Sequence, residues 1–179
     1  MPLCKSKHSN PYLQTKFKRN SMKLYILRHA KTDQNSISGK DFDRKLLKKG
    51  LAQSKEMGEY FFKMNFNPTR IYCSSATRTR ETLANIQKQH ALECNINYID
   101  SLYLAEKDHL LKFLWSQEGG GTIFIIGHNN GLSDFAAYLI DDFVDLKTCD
   151  FLEIEFHSDS WKETSKGSGK VISSYHPEV

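Results

Sequence analysis

Residues 24–32 read LYILRHAKT, an apolar run that stops abruptly at Arg28-His29. Leu24 to Leu27 have the look of a buried strand. A basic pair at its end is a poor continuation into a core and a sensible way to hold something negatively charged there. Two further strand-like stretches end in a similar fashion. TRIYCS (69–74) leads through SATRTRET into a helix start carrying Arg78 and Arg80, and TIFIIG (122–127) is followed by His128-Asn129-Asn130-Gly131.

Working outward from these stretches, strand-like and helix-like segments alternate, the pattern of an α/β domain with a largely parallel sheet. Helical spacing of Leu51, Met57, Phe61 and Met64 predicts a helix over 47–64 with those residues inward. A second is expected from about Thr77 to His90 with N-cap hydroxyls from Ser74-Ser75, and shorter ones over 107–115 and 131–140. NINYID (95–100) reads as a strand. DFLEIEF (150–156) and GKVISSY (169–175) alternate in the manner of sheet-edge strands joined across Trp161 and a Gly-Ser turn.

The chain has 179 residues, 39% apolar and 26% charged, which suits one globular domain with a tail. Its net charge of +4 is misleading. Residues 1–21 hold five basic side chains (Lys5, Lys7, Lys16, Lys18, Arg19) and no acidic one. Removing those five from the 25 leaves 20 basic against 21 acidic residues, a net charge of −1 for residues 22–179. The expected organisation is a flexible basic tail over 1–21, with Met22 a candidate start of translation, and one domain over 22–179. The body is therefore no basic nucleic-acid binder; a basic arm for nucleic acid or membrane is the sharper alternative for the tail. No apolar run is long enough to span a membrane, and the first residues lack the apolar core of a secretory signal. Cys4, Cys73, Cys94 and Cys149 are scattered singletons, compatible with a reducing cytoplasm, the expected location.

In open α/β sheets, ligands collect at the carboxyl ends of parallel strands. Three such ends here bring two histidines and at least one further arginine together, with no carboxylate in the same immediate positions. Arginine presents a fixed fork of donors that fits phosphate oxygens. Helix N-termini after Ser74-Ser75 and after Asn129 add backbone donors. A neutral histidine in that setting can attack phosphorus, and a second, when protonated, can stabilise the transferring charge without a metal. Each piece alone is weak: a lone Arg-His at a strand end is usually surface, and Gly-His after a strand is often a turn. Their joint occurrence is the signal.

LRHAKT, DFDRKLLKKG, SSATRTRET, LYLA and IGHNNGLS, in this order and spacing, resemble the motifs of the histidine phosphatase superfamily, whose fold is that of phosphoglycerate mutase. Within it they look most like the SixA-type phosphohistidine phosphatases, and the similarity runs from Met22 to about Pro177. The resemblance implies a three-layer α/β sandwich with a mostly parallel central sheet, an antiparallel edge and helices on both faces. It implies His29 as the phosphorylated nucleophile, with Arg28, Arg78 (not Arg80) and His128 completing the phosphate pocket. Thr32, Asn35 and Asn129 are candidate substrate-binding residues, and Arg44 is either a pocket residue or a loop-fixing ion pair. No metal and no cofactor are expected. The expected partners are a phosphoprotein bearing phosphohistidine, such as a phosphotransfer protein, and phosphate or other oxyanions, with the chain a monomer.

Two departures bear on substrate. Ala30 replaces the glycine commonest after Arg-His, as is frequent in SixA-like members. Leu104 stands where the family's mutases and many of its small-molecule phosphatases place a carboxylic acid, leaving Glu106 and Asp108 as nearby candidates. Those two also suit the N-terminal turn of a helix, where acidic residues are favoured. Imidazole, with a pKa of about 6.5, can leave protonated near neutrality. An alkoxide needs a general acid worth about 10²–10⁴-fold. Short loops between the motifs also leave little chain for a lid. The expected function is a metal-independent phosphatase acting on protein phosphohistidine; the alternatives are a broad phosphomonoesterase using Glu106 or Asp108, and a non-catalytic phosphate-binding module.

Overall fold

The computed structural model describes residues 22–179; the basic tail and its proposed roles lie outside the described residues. In chain order the elements are β1 (Met22–Arg28), α1 (Lys48–Lys63), β2 (Arg70–Ser74), α2 (Thr77–Gln87), β3 (Ile96–Ile99), α3 (Lys107–Trp115), β4 (Thr122–Gly127), α4 (Gly131–Ile140), β5 (Phe151–Phe156) and β6 (Gly169–Tyr175). They form one six-stranded sheet in the order β3-β2-β4-β1-β5-β6. The first four strands in that order run parallel, and β5 and β6 add antiparallel pairs. Of these last two only β6 lies at an edge; β5 is interior, because its register from Phe151 to Phe156 fits β1 directly.

The layers follow from strand alternation. Leu24 and Ile26 of β1, with Ile123 and Ile125 of β4, face α3 and α4, where Leu111, Leu114, Phe135 and Leu139 meet them together with Trp161. Tyr25 and Leu27, with Phe124 and Ile126, face α1 and α2, packed against Met57, Phe61, Leu83 and Ile86. Strands buried on both faces read as continuous apolar runs, which is why β1 and β4 are so legible. In α1, Met57 and Phe61 are buried as the spacing predicts, whereas Leu51 is exposed and Met64 only half-buried. The inward face of the first two turns belongs instead to Gly50, Gln53 and Ser54. Among the described residues, no helix is long and apolar enough to cross a membrane.

Two glycines let the site's loops close in. A Cβ on Gly50, in the first turn of α1, would stand 2.0 Å from the Lys31 carbonyl oxygen. One on Gly131, the first residue of α4, would stand 1.8 Å from that of Ala105. These contacts pin the segments after β1 and after β4 against their neighbours.

Candidate active site

The parallel register sets the two histidines side by side. Arg28 pairs with Gly127 across β1 and β4, so His29 and His128 are the next residues on adjacent strands, and the His29 amide donates to the Gly127 carbonyl at 3.1 Å. Their ring centroids lie 5.3 Å apart. β2 flanks β4 on the other side and leads into α2, which delivers Arg78. An open pocket of about 580 Å³ forms above these strand ends. Arg28, His29, Arg78 and His128 all line it, as do Thr32, Asn35, Arg44 and Asn129. Arg80 points elsewhere, with its guanidinium carbon 4.6 Å from the centre of the Tyr98 ring.

The local chemistry of His29 is defined by one hydrogen bond. Nδ1 lies 2.8 Å from the Ala30 carbonyl oxygen. A carbonyl can only accept, so Nδ1 carries the proton and the lone pair resides on Nε2. Burial pushes the ring's pKa down from 6.5 to about 4; the nearby guanidiniums of Arg78, Arg28 and Arg44 act the same way, against the opposing pull of that carbonyl. His29 is thus a neutral imidazole at physiological pH. His128 is lowered further, to about 3, by burial first, then by Arg78 and His29, with Asp41 pulling the other way. Its Nε2 meets the Ser74 hydroxyl at 2.8 Å, so that serine serves the histidine. α2 is instead N-capped by Ala76, which provides no side-chain bond, and α2 stops at Gln87 rather than His90.

Arg28 donates through Nη1 to the Leu146 carbonyl at 2.7 Å. Asn129 Nδ2 donates to that same carbonyl at 2.9 Å, and its Oδ1 accepts from Ser133, so its amide is a structural brace at the pocket wall. The peptide between Asn129 and Asn130 is cis. Arg44 binds the Asp33 carbonyl, the Thr32 hydroxyl at 2.7 Å and Asp41 at 2.8 Å, which fixes the loop while leaving the side chain in the pocket lining. The Thr32 hydroxyl accepts from Arg44 and keeps its own O–H to donate. Asn35 donates its backbone amide to the Asp33 carboxylate and borders the pocket.

Glu106 and Asp108 take the helix-start places the sequence suggested for them, and other carboxylates enter the pocket. Glu106 is the N-cap residue of α3 and Asp108 pairs with Lys107 at 2.9 Å. Both line a neighbouring depression with Asn130, Gly131 and Asp134, and neither lines the pocket that holds His29. Leu104 borders both cavities, half-exposed at a backbone φ of 48°. The acidic side chains that do line the pocket are Asp33 and Asp41, both from the loop after β1. Asp41 was not among the expected site residues; its only sequence signal is the DFDR stretch that also carries Arg44.

A parallel sheet whose three central strand ends send two histidines and two arginines into one pocket defines the phosphoglycerate mutase-like class of α/β domains. Comparison with known proteins identifies the family. The chain belongs to the histidine phosphatase superfamily: the model of its branch 1 matches residues 24–102. It is 34% identical over 159 residues to an uncharacterized chloroplastic protein of Arabidopsis thaliana, spanning 83% of this chain and 73% of that one. Among solved structures it is similar to the protein histidine phosphatase SixA complexed with tungstate, with a TM-score of 0.74 at 18% identity, covering 87% of this chain and 97% of that one. The phosphoglycerate mutase of Plasmodium falciparum superposes with a TM-score of 0.58 at 17% identity over 86% and 89% of the two chains.

Proposed function

We propose that this protein is a metal-independent phosphatase that removes the phosphoryl group of protein phosphohistidine through a phospho-His29 intermediate. The observation that carries this reading is the state of His29: a neutral ring, its Nδ1 proton tied to Ala30 and its Nε2 lone pair unspent, in a pocket walled by Arg28 and Arg78. Nε2 attacks phosphorus, the bond from phosphorus to the substrate imidazole breaks, and that imidazole leaves carrying a proton taken from the solvent to which the pocket is open. Water then attacks the phosphorus on His29, inorganic phosphate departs and neutral His29 is restored. The guanidiniums supply the positive charge that such a transfer demands. His128 is neutral before substrate arrives, so the protonation that would let it stabilise the transferring group depends on the negative charge the phosphoryl group brings.

The position of Glu106 and Asp108 outside the pocket supports phosphohistidine over phosphate esters, as does the aliphatic Leu104 at its wall. The SixA likeness points the same way, and the tungstate of that neighbour is an oxyanion of the kind this pocket would take. We place the protein in the cytoplasm as a monomer; among the described residues, Cys73, Cys94 and Cys149 are unpaired. The test is phosphate release from a phosphohistidine peptide and from an aryl phosphate, side by side in EDTA, for wild type and His29→Ala. Peptide turnover well above ester turnover, abolished in the variant, is expected; ester preference would give the case to a small-molecule phosphatase, and no turnover of either to a binding module.

A further inference from the structure

Asp41 is one of two carboxylates, with Asp33, in a pocket lined by three arginines, and its contacts are extensive. It accepts hydrogen bonds from Arg44 Nη1 at 2.8 Å, Arg78 Nη2 at 2.9 Å and the Tyr103 hydroxyl at 2.7 Å, while its backbone carbonyl accepts from Arg78 Nη1 at 2.8 Å. These donors come from three separate segments of the chain. The Arg78 side chain is 3% exposed, and among the described residues both of its hydrogen bonds end on Asp41 and its Nε has no partner. Asp41 is thus what fixes the direction of this guanidinium. Tyr103, held by the same carboxylate, presents its ring to His128 in an edge-to-face arrangement with centroids 5.5 Å apart.

The Tyr103 hydroxyl, Arg44 and Arg78 keep the Asp41 carboxyl well below the usual carboxylate range, so it is ionised and is no proton donor. Its negative charge sits in the same cavity that must receive a phosphoryl dianion and later let phosphate go. Without Asp41, the carboxylate paired with Arg44 and Arg78, the three guanidiniums would hold product and transition state alike, and such uniform binding slows release without helping the chemistry.

We propose that Asp41 is a positioning residue that aims Arg78 at the phosphoryl group and also serves as an internal counter-anion, limiting how tightly the pocket retains the phosphate it produces. This rests on the pocket's being a phosphoryl site, and the experiment separates the two. Inorganic phosphate is titrated calorimetrically into the full chain as wild type, Asp41→Asn and Asp41→Ala at neutral pH and fixed ionic strength, with kcat and KM for a phosphohistidine peptide measured in parallel. Asn keeps an acceptor for Arg78 and removes the charge; Ala removes both. Asp41→Asn is expected to bind phosphate roughly tenfold more tightly, as befits one charge removed within several ångströms, with kcat lowered severalfold as release slows. Asp41→Ala is expected to lose more kcat than Asp41→Asn and to gain less phosphate affinity. Phosphate affinity unchanged or weakened in Asp41→Asn overturns the proposal, as does a joint loss of affinity and turnover that follows the melting temperature. Wild type that binds no phosphate refutes the site reading itself and takes this inference with it.

Discussion

His29 is defined by what its Nδ1 touches, and that contact separates its role from that of His128. A main-chain carbonyl fixes the tautomer of the first ring, whereas a serine hydroxyl, able to donate or accept, meets the second. His29→Ala is therefore expected to lower phosphohistidine turnover by on the order of 10³-fold or more while leaving the fold intact, checked by steady-state kinetics with far-ultraviolet circular dichroism. Leu104 belongs at this scale too. A leucine at positive φ is uncommon and costs of the order of 1–2 kcal/mol. Here it stays half-exposed at the pocket wall. Leu104→Glu is expected to raise the ratio of alkyl phosphate to phosphohistidine turnover by about tenfold or more, because it puts a proton donor at the pocket wall for a departing alkoxide. An unchanged ratio would show that the missing acid does not set substrate choice. The meeting of Arg28, His29 and His128 at neighbouring strand ends was legible in the sequence because each ends or follows a strand whose apolar run is unmistakable, whereas the choice of Arg78 over Arg80 came from the family resemblance. Asp41 was not legible, because its place is set by hydrogen bonds to Arg78, 37 residues away, and Tyr103, 62 away.

The elements deliver these residues through register. The pairing of Arg28 with Gly127 leaves His29 and His128 as neighbours, and a slip of one residue would turn one of them to the opposite face of the sheet. Gly50 and Gly131 hold the loops after β1 and β4 at distances no Cβ tolerates. Gly131→Ala is expected to destabilise by about 1–3 kcal/mol and to lower activity, because the shift would move the backbone that follows His128; denaturant unfolding and kinetics would measure both. The boundaries of β4, β6, α3 and α4 could be read from apolar periodicity. The end of α2 and the exposure of Leu51 could not, since both depend on which neighbours α1 and α2 meet: Gly50, Gln53 and Ser54 face inward where the helical spacing had placed a leucine. The interior position of β5 was hidden for a similar reason, as a strand's pairing partners are fixed by topology rather than by its own pattern.

For the whole molecule, the charged pocket has a thermodynamic signature. Folding lowers the pKa of His29 from 6.5 to about 4 and that of His128 to about 3. Between those values and about 6.5 the unfolded chain takes up protons that the native state refuses, so stability is complete above this window and declines as pH falls through it. The melting temperature is expected to drop between pH 7 and pH 5, and a His29→Asn/His128→Asn variant to show a flatter dependence over that range. On the proposed reading of the pocket as a phosphoryl site, saturating inorganic phosphate is expected to raise the melting temperature of the wild type.

The covalent intermediate on His29 is the step on which the proposed chemistry stands. Wild type would be mixed with a phosphohistidine peptide, quenched in alkali within the first turnover, and its peptides sequenced by mass spectrometry. One phosphoryl group on His29, absent from His29→Ala and decaying as phosphate is released, is the result expected. Turnover of the peptide with no phosphorylated His29 at any time, or with the group on another residue, would contradict it.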